Sequence, residues 1–226
     1  MNKTLLSLAA AALCCATTFA QDYEPTTMWP YVNPEFETGQ ITFADSTRAE
    51  AKVNVHLLAG ELQQLSGDDV KTVSGRVARA SIGKDTYVNV DGCMCLVLGD
   101  TAGVMVVKQV LCDQNKLMSG TGAYGATLST SGRQELTSIE MGGHNITNHG
   151  LMHQNRSQSR ALPLKTARKV VYAGKVVDAS PRYIRQLLIP EARRDEWNAK
   201  VKAAKIRWAK DESVGQVAAL LADFLK

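Results

Sequence analysis

The sequence predicts an α+β protein: an antiparallel β part first, built as a meander, a sandwich-like pair of layers or an open barrel, and a helical segment at the carboxy terminus. Three observations predict it. Short runs of alternating apolar and polar residues fill most of the first 179 residues, broken by turn-prone clusters about every 8–12 residues, a rhythm of antiparallel rather than βαβ structure. Residues 180–226 instead space their apolar side chains three and four apart, as a helix with one buried face requires. Charge divides at nearly the same place: residues 21–159 carry ten Lys+Arg against fifteen Asp+Glu, and residues 160–226 carry fifteen against seven.

The first twenty residues stand apart. Lys3 gives a basic start, an apolar run follows from Leu5 to Cys15, and Thr18 and Ala20 place small residues before Gln21. That three-part order is the form of a secretory signal peptide, too short in its apolar run to span a bilayer comfortably. Residues 1–20 are therefore expected to be removed, leaving 206 of the 226 residues as an exported chain of the periplasm or cell surface, with no transmembrane segment. Leu13 stands before Cys14 where lipoprotein processing requires a small residue, which argues against lipidation.

The β part, residues 21–179, reads in order. Gln40–Asp45 and Glu50–Leu57 are alternating strands around the turn-prone Asp45–Arg48. In the second, Ala51, Val53, Val55 and Leu57 share one face and Lys52, Asn54 and His56 the other. Gly60 separates two more extended pieces, and "DVKTV", "VARASIG" and "DTYVNV" continue the pattern. Asp91-Gly92 is a tight-turn signal. "CMCLVLG" and "VMVVKQVLC" then form a hairpin around Asp100–Gly103, with both faces apolar enough to be covered. "AYGATLSTSG" offers a further strand, and Val170–Ser180 a final strand and turn.

The helical segment, residues 180–226, opens on Ser180-Pro181, an N-cap followed by proline at the first helical position. That helix stops before Pro190. A second follows with Ala192, Trp197 and Val201 inward. Asp211 caps a third, which turns Val214, Val217, Ala218, Leu221, Phe224 and Leu225 to one side. No glycine- or proline-rich linker precedes these helices, so they are expected to dock on the sheet as a subdomain.

The segments "WPYVNPEFETGQITFADSTRAEAKVNVHLLAGELQQL", "LVLGDTAGVMVVKQV" and "AYGATLSTSG", with the closing "SVGQVAALLADFLK", resemble exported β-rich proteins of unknown function from Bacteroidetes. The resemblance spans most of the chain after residue 20. It implies a cell-envelope protein with a helical carboxy terminus, and it brings no catalytic residue with it.

The candidate sites are few. His149 and His153 are four apart, the spacing that places two imidazoles on one helix face, and His144 precedes them after two glycines. A three-histidine metal site is one reading. A mobile polar loop is the other, favoured by Gly142, Gly143, Asn145, Asn148 and Gly150 and by the lack of a carboxylate nearby to orient a ring. Beyond residue 20 the cysteines are Cys93, Cys95 and Cys112, an odd number. Folding the hairpin about Asp100–Gly103 returns Cys112 to Cys93, so these two either form a disulfide or are, with Cys95, buried small apolar residues. Arg193, Arg194, Lys200, Lys202 and Lys205 form a basic stretch that either meets an anionic polymer or membrane surface or is a solvated helix face.

No nucleophile elbow, P-loop, EF-hand or CxxC occurs, and "GTGAYG" lacks the strand–helix unit of a dinucleotide site, so the sequence implies no cofactor. The leading functional expectation is an exported, non-catalytic binding or structural module whose partner is an envelope protein or an anionic polymer. The alternative is a metal-binding protein or metalloenzyme built on His144, His149 and His153. Nucleic acid is not expected, since export separates the chain from it.

Overall fold

The computed structural model describes residues 23–118 and 147–225. It is α+β with an open antiparallel sheet and helices at the carboxy terminus, as the sequence predicts. Among the described residues eleven strands follow one another: β1 (Glu37–Phe43), β2 (Arg48–Val55), β3 (Leu62–Ser66), β4 (Asp69–Thr72), β5 (Val77–Ile82), β6 (Asp85–Val90), β7 (Cys93–Thr101), β8 (Val104–Cys112), β9 (Thr147–Asn148), β10 (Leu164–Tyr172) and β11 (Lys175–Asp178). Six helices accompany them among the described residues: α1 (Gln114–Met118), α2 (His149–Asn155), α3 (Pro181–Leu187), α4 (Arg194–Ala203), α5 (Asp211–Gly215) and α6 (Val217–Phe224).

The spatial order is β11-β10-β8-β7-β6-β5-β1-β2-β3-β4-β9. The sheet thus grows outward from β1 in both directions, and all described pairings are antiparallel. One link constrains its shape. β4 and β5 lie four strand spacings apart, about 19 Å across a flat sheet. Only residues 73–76 connect them, a reach of about 18 Å if fully extended, and that link bends at Ser74-Gly75. The strands must therefore curl. They do so around Ile41, Val53, Val55, Leu62, Val73, Val77, Ala80, Ile82, Tyr87 and Met94, which form one core cluster.

The other end of the sheet carries the helices. Leu98, Val104, Val106, Val170 and Tyr172 meet Ile184, Ile189, Trp197, Val214, Val217, Ala218, Leu221 and Phe224 in a second core. Ser180 caps α3 as expected, its hydroxyl accepting from Tyr183 N. The third helix departs from expectation. It breaks at Gln216 into α5 and α6, and Lys210, not Asp211, occupies the N-cap position. Asp211 reaches the sheet instead, where its carboxylate meets Lys108 Nζ of β8 at 2.7 Å and Arg168 Nε of β10 at 2.7 Å. Ala192, expected inward, also turns outward, and Leu187 at the end of α3 is 56% exposed.

In β7 the pairing with β8 shifts by one residue between Val97 and Gly99, a bulge that sets Leu98 apart. Just past it, Gly99 lies against Gly215 of α5. A Cβ built on Gly99 would overlap the Gly215 carbonyl oxygen, and one built on Gly215 would overlap the Leu98 carbonyl oxygen. Val170–Ser180 divides into β10 and β11 around Ala173-Gly174, both in the left-handed conformation that a two-residue hairpin turn demands.

Residues 23–36 form a strap across the curled end. Thr26 bridges Ala161, and Tyr31 bridges His56. Buried Asn54 fixes the strap from beneath: its Oδ1 accepts from Asn33 N, and its Nδ2 donates to the carbonyls of Asn33 and Glu35. The polar face of β2 is therefore as buried as its apolar face at this point, with Asn54 at 0% and His56 at 4% exposure.

Candidate functional site

The strap presents Trp29, Tyr31 and Phe36 to the curled sheet, where they pack edge to face with centroids 4.9–6.0 Å apart. Glu35 follows directly from the backbone that Asn54 holds. Across from it lies α2, anchored by two devices. Asn148 caps the helix, its Oδ1 accepting from Leu151 N at 3.0 Å, and β9 pairs with β4 before it. The stretch from residue 149 to 155 is thus a helix and not the polar loop its glycines and asparagines suggest. The cap and the tertiary docking outweigh poor local helix propensity.

Helical spacing brings His149 and His153 together, their rings stacked 5.8 Å apart. Both meet Trp29, at 5.4 Å and 5.3 Å, and His149 also meets Phe36 at 5.6 Å. His153 Nε2 lies 2.8 Å from Glu35 Oε1, and Arg156 Nη1 donates to the same oxygen at 2.8 Å and to Pro34 O at 3.0 Å. Partial burial would raise the Glu35 carboxyl, but hydrogen bonds and charge from His153 and Arg156 outweigh it and hold it below the usual range. His149 is different. Its Nε2 is buried with no hydrogen-bond partner. Burial first, and the neighbouring His153 ring second, keep it below the ordinary histidine value.

Beside this junction runs a cleft of about 610 Å³ lined by Tyr23, Thr26, Trp29, Arg156 and Ser159 among others. Three of its hydroxyls are engaged: Tyr23 donates to Tyr31 O, Thr26 Oγ1 donates to Arg156 O, and Ser159 Oγ lies 2.8 Å from Thr26 Oγ1.

The histidine pair is therefore assembled as the spacing requires, while His144 lies outside the described residues. The two rings engage aromatic neighbours and a carboxylate, and no group of three or more potential ligands that could hold a metal occurs among the described residues. The carboxylate partner absent from the local sequence comes from Glu35, 118 residues earlier. The signal available was the strap's aromatic run, Trp29, Tyr31 and Phe36, with Glu35 and Glu37 flanking Phe36.

The cysteine pair is not bridged. Cys93, Cys95 and Cys112 are free thiols. Beyond the bulge, Gly99 faces Val106 and Thr101 faces Val104; continued unbroken, that register would set Cys93 opposite Cys112. The bulge moves the pairing by one, to Leu96 opposite Lys108, and a one-residue slip turns side chains to opposite faces. Cys93 accordingly packs with Val88, Val90, Cys95 and Val107, and Cys112 with Leu57, Leu117 and Leu162. Burial pushes the Cys95 and Cys112 thiols up to about 11.

The five basic candidates divide. Arg193 turns inward: Nη1 donates to Phe224 O at 2.8 Å, Nε to Glu196 at 3.2 Å, and the guanidinium lies 4.0 Å over the Phe224 ring. Arg194 pairs with Glu191 at 3.6 Å. Lys200 Nζ lies 5.4 Å from the Phe224 ring, and Lys200, Lys202 and Lys205 are exposed. No helix among the described residues is long and apolar enough to cross a membrane. Compared with known proteins, the chain matches no family model, no curated protein and no solved structure.

Proposed function

We propose that the chain is an exported protein of the cell envelope, acting as a non-catalytic binding or structural module toward an envelope protein or an anionic polymer. The observation that carries the reading is how its ionisable groups are used. Glu35, His153 and Arg156 fasten α2 to the strap, and Asp211, Lys108 and Arg168 fasten α5 to the sheet. Each carboxylate that gathers two partners holds distant parts of the chain together. The leader with Lys3, the Leu5–Cys15 run and Ala20 supports export, as does the likeness to exported Bacteroidetes proteins. Exposed Lys200, Lys202 and Lys205 supply the contact for a polyanion.

Intact mass of the protein from its native host tests the address. A chain beginning at Gln21 is expected; one retaining Met1, or carrying lipid on Cys14 or Cys15, overturns it. Retention of the purified protein on immobilised anionic polysaccharide tests the partner class. Salt-sensitive retention is expected, and flow-through at low salt removes the polyanion from the reading.

A further inference from the structure

We propose that the joint between α2 and the strap is an acid-sensitive latch, closed while His149 is neutral and released when His149 takes a proton. The latch would regulate access to the Trp29 cluster, and it rests on neither the export nor the binding reading.

Three features of geometry carry this. His149 Nε2 sits in a buried position with no acceptor, so an added N–H would be stranded there. The His149 ring stacks on His153, which Glu35 holds in place at 2.8 Å, so a positive charge on His149 would be opposed by that neighbouring ring. His149 is also the first residue of α2, where the helix dipole opposes a cation.

The surrounding charges from each neighbouring element are Glu35 on the strap, Asp68 in the β3–β4 turn, Lys52 on β2 and His153 on α2 itself. Glu35 and Asp68 favour the charged ring, His153 and Lys52 oppose it, and burial is the largest influence, with a net effect below the ordinary value of 6.5. Trp29 and Phe36 complete the walls and carry no charge.

Release is local because α2 holds on weakly. It buries none of its own residues, its strand β9 pairs over two residues, and its ion pairs are made to a Glu35 that is half exposed. Such an element opens well below the free energy of global unfolding. The sign follows from linkage. The open form binds the proton at about the ordinary value and the closed form only at lower pH. The latch is therefore fully closed above about 6.5 and loosens as pH falls from there through the lowered value, by at most about tenfold in the opening equilibrium per pH unit.

Hydrogen exchange of the full-length chain between pH 7.5 and 4.5, corrected for the intrinsic pH dependence of exchange, reads the opening directly. Protection of amides in 149–156 and 29–36 should fall below about pH 6.5 while β8 and β10 keep theirs. His149→Phe retains an aromatic ring against Trp29 and cannot titrate, so its α2 should stay protected in acid. Should that variant fail to fold, the ring-proton titration of His149 in the natural chain decides the matter: a value below 6.5 that moves together with the Trp29 indole signal is expected. A value at or above 6.5, protection that does not change with pH, or acid opening that persists in a folded His149→Phe protein overturns the latch. The same holds for a transition that disappears with a chelator present, which would assign the pH response to a bound metal.

Discussion

Gly99→Ala adds a single methyl group where β7 touches α5. The added carbon would overlap the Gly215 carbonyl oxygen and lie 3.2 Å from Ala218 Cβ. Backbone oxygen cannot rotate aside as a side chain can, so α5 must lift from the sheet. Val214, Val217 and Ala218 are all at 0–1% exposure behind it, and a gap of about 0.5–1 Å already forfeits a quarter to a half of their contact attraction. Overpacking of a dense core costs about 1–3 kcal/mol, and a clash with backbone belongs at the upper end, about 3 kcal/mol. For a chain of this size that lowers the melting temperature by about 6–12 °C. Gly215→Ala sharpens the test because it decides a sign. Helix propensity alone would make alanine stabilising by about 0.5–1 kcal/mol, whereas the clash with Leu98 O makes it destabilising. The double variant should lose less than the sum of the two, since one displacement relieves both contacts. Circular dichroism and tryptophan fluorescence melts supply the numbers. A Gly99→Ala shift below about 2 °C, a stabilised Gly215→Ala, or strict additivity would refute the close glycine contact.

Asp211→Ala leaves Lys108 and Arg168, 26% and 25% exposed, without their shared carboxylate and should cost about 2 kcal/mol, or 4–8 °C, in thermal melts. Hydrogen bonds and charge from those two residues outweigh burial to lower the Asp211 carboxyl from 3.8, so the stability it gives is present above that pH and lost as pH falls through the lowered value; Asp211→Asn should flatten that part of the acid profile. Removing residues 180–226 uncovers Val104, Val106 and Val170, each worth roughly 1.5–3 kcal/mol when buried, and should make the β part aggregate; a monomeric truncated form with an unchanged melting temperature would show that the helices are dispensable. Reversing Lys200, Lys202 and Lys205 to Glu should leave melting nearly unchanged while weakening retention on anionic polymer, as should added salt with its screening length of about 8 Å. Arg193→Glu should destabilise, because it strands Phe224 O and sets a carboxylate against Glu196; retention that survives both lysine reversal and high salt would leave the lysines as a solvated face.

Wherever local pattern sufficed, the sequence by itself determined the outcome. Alternation placed the strands from β1 to β6, two apolar runs about Asp100–Gly103 placed β7 and β8, Asp91-Gly92 and Ser180-Pro181 marked a turn and a cap, and helical spacing selected Val214, Val217, Ala218, Leu221 and Phe224 for the core. Ala173-Gly174 was less legible because alanine is not a residue that advertises a left-handed turn. Tertiary structure alone decided three things. The bulge at Leu98 turned Cys93 and Cys112 to opposite faces, since one extra residue in a strand reverses everything beyond it. Asp211 left its expected capping role because two cations on β8 and β10, more than forty residues away, offered stronger partners. Glu35 became the partner of His153 because a buried asparagine fixed the strap beside a helix formed over a hundred residues later. A periodic pattern records which face of an element is buried. It carries no record of which distant element arrives to bury it, and the chemistry of this molecule lies at those meetings.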